Sequence, residues 1–153
     1  MGRDTSFGDE QFRGLTDEPE YEKHLVFVIM PFASAFDDVY SAILDECKKL
    51  HLKAVRVDKT TGSGIVLRKV FNLIERAEFL IVDLTEERPN VYYELGYAHG
   101  VGNEENDILL IAKEGTKLHF DVAPLSVQFY SSTESLRSLV NDHLKRMIRA
   151  TRN

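Results

Sequence analysis

The chain has 153 residues, 43% of them apolar and 29% charged, which suits one globular domain with a sizeable core. No apolar run approaches the ~20 residues of a membrane helix, and the start does not resemble a signal peptide. One cysteine, Cys47, excludes an internal disulfide framework and a thiolate zinc site, so the expected compartment is cytoplasmic.

The formal charge of -6 is unevenly placed: residues 1–23 hold seven acidic and three basic side chains, a net of -4, leaving -2 for the rest. That balance argues against nucleic acid as a partner, and Lys145, Arg146, Arg149 and Arg152 read as a solvated helix end where cations suit the macrodipole. Residues 1–22 are polar, acidic and aperiodic, an expected flexible tail or linker before a domain over 23–150. Order is expected from His24–Met30, a buried strand stopped by Pro31. Ser34 is then a cap for a helix whose apolar face is Phe36, Val39, Tyr40, Ile43, Leu44, Cys47 and Leu50. Cys47 lies on that face and reads as a core filler.

Leu52–Val57 alternates as a second strand ending in Asp58 and Lys59. Gly62-Ser63-Gly64 then opens a helix with Leu67, Val70, Phe71, Ile74 and Ala77 inward; it lacks the third glycine of a dinucleotide fingerprint and a Walker lysine. Phe79–Val82 is a strand covered on both faces, ending at Asp83, and Asn90 is an N-cap for a helix bearing one charge, Glu94. Gly96 and Gly100 are expected to let that helix press on the sheet. His99 and His119 have no metal-ligand spacing, and no metal site is expected. Ile108–Ala112 is a further strand, Val127–Tyr130 a short edge strand, and Ser131 or Ser132 caps a last amphipathic helix through Ile148. With right-handed crossovers, this order gives a three-layer α/β/α fold, flavodoxin/Rossmann-like and doubly wound, around a mainly parallel five-stranded sheet.

Such a sheet gathers Met30, Pro31, Phe32, Asp58, Asp83, Asn90, Glu94 and Lys113 at its carboxyl edge, where ligands bind in open α/β folds. Asp83 reads equally as a strand-end carboxylate capping the Thr85 turn or as a ligand for ribose hydroxyls. Glu94 reads either as a solvent-facing helix residue or as a partly desolvated nucleophile. Of Tyr92, Tyr93 and Tyr97, two are expected to pack and one to stack on a base.

Asp83-Leu84-Thr85 followed by Tyr93-Glu94-Leu95-Gly96-Tyr97-Ala98 resembles the signature of the nucleoside 2-deoxyribosyltransferase superfamily, with its 2′-deoxynucleoside 5′-monophosphate N-hydrolases. The resemblance implies action on an N-glycosidic bond through a glycosyl-Glu94 ester, and Asp83 or Asp58 is the candidate catalytic carboxylate to stand in for the superfamily's assisting aspartate. It implies Met30, Pro31, Phe32, Asp58, Asn90, Tyr93 and Lys113 around a nucleoside or nucleotide, no cofactor, and a homo-oligomer. The superfamily's assisting aspartate falls on Val70 here, so activation of the leaving base lacks its residue. The layout is also similar to Toll/interleukin-receptor domains that cleave NAD, and the third alternative is a binding module that senses a nucleotide without catalysis.

Overall fold

The computed structural model describes residues 21–31, 33–57, 64–86, 89–118 and 125–152. Five strands, β1 (Glu22–Ile29), β2 (Lys53–Val55), β3 (Ala77–Asp83), β4 (Ile108–Lys113) and β5 (Val127–Tyr130), form one sheet in the order β2-β1-β3-β4-β5. Every pairing is parallel. The helices are α1 (Asp37–Lys49), α2 (Gly64–Arg76), α3 (Pro89–Gly100) and α4 (Thr133–Thr151). This is the doubly wound, flavodoxin-like α/β fold that the element order implies.

Alternation along the strands divides the core. Val26, Val28, Phe79 and Ile81 face a layer completed by α1 and α4, through Ile43, Cys47, Leu136, Val140 and Leu144. Phe27, Ile29, Leu80 and Val82 face the opposite layer, completed by α2 and α3 through Val70, Ile74, Val91, Leu95 and Ala98. All seven residues of β3 are buried, so this strand is covered on both faces and at both ends. Burying a side chain such as Phe79 or Leu80, both at 0% exposure, stabilises the fold by about 1.5–3 kcal/mol each. Cys47 is fully buried, and desolvation, followed by the charge of Glu46, pushes its thiol up to about 12.

Three local expectations change. Ser34 begins a 3-10 turn, Ser34–Phe36, and Phe36 stands at the α1 N-cap without a side-chain cap bond. Helix α3 starts at Pro89, so Asn90 lies within its first turn rather than before it; proline suits the first helical position, where no N–H partner is required. Gly96 and Gly100 are exposed, and a Cβ built on either meets nothing within 4 Å, so neither presses on the sheet. Elsewhere the expectation is met: Ser132 caps α4, its hydroxyl accepting from Ser135 N while Ser135 Oγ accepts from Ser132 N, both at 3.1 Å. No helix among the described residues is long and apolar enough to cross a membrane.

Candidate functional site at the carboxyl edge

The strand order places a switch point between β1 and β3. From β1 the chain turns toward α1 on one face of the sheet, and from β3 it turns toward α3 on the other. Met30 and Pro31, both buried, end the β1 side, and Asp83, Leu84 and Thr85 leave the β3 side.

Asp83 is 1% exposed and its two oxygens are engaged. Oδ1 accepts from the Thr85 backbone N–H at 2.9 Å and from the Thr85 hydroxyl, closing the turn after the strand. Oδ2 accepts from the Tyr130 hydroxyl at 2.8 Å. Thr85 Oγ1 also accepts from Lys113 N at 3.0 Å, and Leu84 N donates to Ile111 O at 2.9 Å. The ends of β3, β4 and β5 are therefore tied through one carboxylate. Desolvation raises the Asp83 carboxyl above its ordinary range; the Thr85 and Tyr130 hydrogen bonds oppose that rise, and the charge of Glu86 adds to it. Burial, with Asp83 opposite, raises the Tyr130 phenol well above its usual range.

The candidate residues fall into distinct settings. Glu94 is 3% exposed and sits on the side of α3 that also buries Val91, Leu95 and Ala98, so it is no solvent-facing helix residue. Asn90 and Lys113 are exposed at the same edge. Tyr93 is 61% exposed and turns away from the sheet toward Phe71 of α2, ring centroids 5.9 Å apart. Phe32 and Asp58 lie outside the described residues. Tyr130, which the sequence shows only as the end of an edge strand, is brought to Asp83 across 47 positions by the β4–β5 register that sets it beside Lys113. No periodicity or motif in the sequence signals that pairing.

The opposite end of β3 repeats the arrangement with a cation. Glu78, 5% exposed, accepts Arg152 Nε at 2.6 Å and Arg152 Nη2 at 2.9 Å, along with the His24 backbone N–H. Burial alone would raise this carboxyl, but the Arg152 and His24 bonds outweigh it and hold the group below its ordinary range. His24 adopts φ 76° where the β1 register shifts between Glu22 and Val26, and that shift presents its N–H to Glu78.

Two cavities lined by described residues lie at this amino edge. One, of about 470 Å³, is bordered by Tyr21, Glu75, Glu78 and Asn103; the other, of about 510 Å³, by Gln128, His143 and Arg146. Neither is lined by Asp83 or Glu94. Among the described residues no group of three or more His, Cys, Asp or Glu side chains is arranged to hold a metal.

The helix N-termini flanking the switch point differ in charge. The first turn of α1 carries Asp37 and Asp38, which oppose an anion there, whereas the first turn of α3 has no acidic residue.

No family model matches the chain, and no curated protein matches it. Among solved structures it is similar to a diflavin flavoprotein A3 from Nostoc sp., with a TM-score of 0.52 and 14% identity over 84% of this chain and 92% of that one. The deoxyribosyltransferase resemblance is thereby corrected: the likeness found is to a flavodoxin-like flavoprotein, and with it fall the transferase, N-glycosidase, NAD-hydrolase and nucleotide-sensing readings. The geometry supplies a physical reason. Asp83 is engaged by Thr85 and Tyr130, and Val70, where that chemistry asks for an aspartate, is 1% exposed in the core. What the solved structure shares with this chain is the fold.

Proposed function

We propose that the chain is a binding module whose ligand lies across the β1/β3 switch point, and that this ligand is of the flavin class. The observation that carries the reading is the strand order β2-β1-β3-β4-β5, which parts the chain to opposite faces between Pro31 and Asp83. Open parallel sheets bind their ligands at that place, and an FMN site occurs there in other proteins with this strand order. Two further observations support it. Asp83 and Glu94, two buried carboxylates, belong to the segment that leaves β3 at this edge, and buried ionisable groups collect at functional sites. A similar solved structure carries the name diflavin flavoprotein.

In this reading Asp83 is a strut that sets the floor of the site through Thr85 and Tyr130. The acid-free first turn of α3 takes the phosphate end, since Asp37 and Asp38 oppose it at α1. The test is a titration of the purified chain with FMN and with riboflavin, followed by flavin fluorescence and by thermal unfolding. FMN at 100 times its Kd is expected to stabilise the chain by about 2.7 kcal/mol, and riboflavin to bind more weakly. Asn90→Asp, which adds a carboxylate to the α3 first turn, is expected to weaken FMN more than riboflavin. Unchanged fluorescence and unfolding with both flavins would overturn the reading.

A further inference from the structure

The cavity of about 510 Å³ at the amino edge lies between the 3-10 turn Glu105–Asp107, the starts of β4 and β5, and the second half of α4. Its volume falls in the range of roughly 300–1,000 Å³ typical of small-molecule sites. Glu105 lines it from the turn, and His143 and Arg146 line it from α4, where a spacing of three sets them on one side of the helix. Among the described residues, no hydrogen bond or ion pair engages the side chain of any of these three. A carboxylate and a guanidinium therefore line one cavity without pairing to each other. Burial, followed by the charge of Arg146, holds the His143 imidazole below its ordinary pKa against the opposing charge of Asp142. Near neutral pH the imidazole is thus uncharged, and the wall carries one anion and one cation. Elsewhere in the wall Gln128 Nε2 donates to Ser126 Oγ at 3.2 Å, which holds both polar side chains in place.

From this cavity we infer a binding site for a small free amino acid, its carboxylate against Arg146 and His143 and its ammonium against Glu105. The planar fork of the Arg146 guanidinium matches a carboxylate two bonds at a time. Neutral His143 adds one N–H donor without adding charge. A simple anion such as phosphate would meet the like charge of Glu105, and a simple amine would meet that of Arg146. A ligand carrying both charges meets neither, because each of its groups faces the opposite sign. The buried residues Ile108, Leu110 and Met147 also line the cavity, which suits an apolar side chain on that amino acid. This inference is independent of the flavin reading, because the cavity lies at the amino edge and the switch point opens at the carboxyl edge.

Leucine, methionine and phenylalanine, each added singly at millimolar concentration to the flavin-free full chain, test it by thermal unfolding and titration calorimetry. At least one should raise the unfolding temperature and give a measurable Kd. Its two singly charged analogues, the carboxylic acid without the amino group and the decarboxylated amine, should each bind about tenfold more weakly or worse. Arg146→Gln and Glu105→Gln should each weaken the amino acid by a similar factor. Both residues are exposed, so the ligand-free unfolding temperature of either variant should stay close to that of wild type. No response to any of the three amino acids, a singly charged analogue that binds as tightly as its amino acid, or binding that both substitutions leave unchanged would overturn the inference.

Discussion

Asp83 shows how much a single side chain depends on its surroundings. In the sequence it is a carboxylate at a strand end; in the fold it is an acceptor for three donors from Thr85 and Tyr130. Tyr130→Phe removes one of those donors while leaving the ring, and should cost about 1–3 kcal/mol in urea unfolding, since a buried acceptor loses its partner. Because the folded Asp83 carboxyl is raised, its contribution favours the native state below the unfolded carboxyl pKa and is lost as pH rises through the folded value. Unfolding free energies of wild type and Asp83→Asn, compared across that window, should therefore show wild type losing ground as pH increases. Cys47 gives a second residue-scale test. With its thiol buried and raised to about 12, it should resist alkylation by iodoacetamide in the native chain and react once denaturant unfolds it.

At the scale of elements, β3 is bounded by two buried carboxylates that are accommodated in opposite ways. Asp83 rests among neutral donors, and Glu78 is clamped by the Arg152 guanidinium from the end of α4. Arg152→Ala leaves Glu78 buried without its cation and should destabilise the fold by about 3 kcal/mol at neutral pH. Glu78 is held below its ordinary range, so the stabilisation is present above the unfolded carboxyl pKa and disappears as pH falls through the folded one. The gap between Arg152→Ala and wild type, measured by thermal or urea unfolding, should accordingly close on acidification. This sign is the reverse of that at Asp83. A second tie between helices, Arg137 Nη1 to Asp45 Oδ2 at 2.9 Å, joins α4 to α1 near the surface; Arg137→Ala should cost under about 1 kcal/mol, as exposed pairs do.

At the scale of the whole molecule, the five-stranded, mainly parallel sheet, both helical layers and most of the core were legible in the sequence. The reason is local: an unbroken apolar run such as Phe79–Val82 has to be covered on both faces, and the recurrence of Phe36, Ile43 and Cys47 gives one buried stripe. Right-handed crossovers then leave few ways to wind the chain. The candidate site was legible only as a sheet edge. Position along the strands and one short motif mark its residues, and neither carries information about a partner 47 positions away such as Tyr130.

The sequence by itself determined the element order, the burial pattern and hence the flavodoxin-like fold, because hydrophobic periodicity acts over a few residues. Tertiary structure alone decided that Asp83 is tied to Tyr130 and Thr85, that Glu78 meets Arg152, and that Gly96 and Gly100 face outward beside Tyr93. Those relations depend on strand register and helix rotation, which bring together groups far apart in the chain, and hydrogen bonds and close contacts are decided by distances of a few tenths of an ångström.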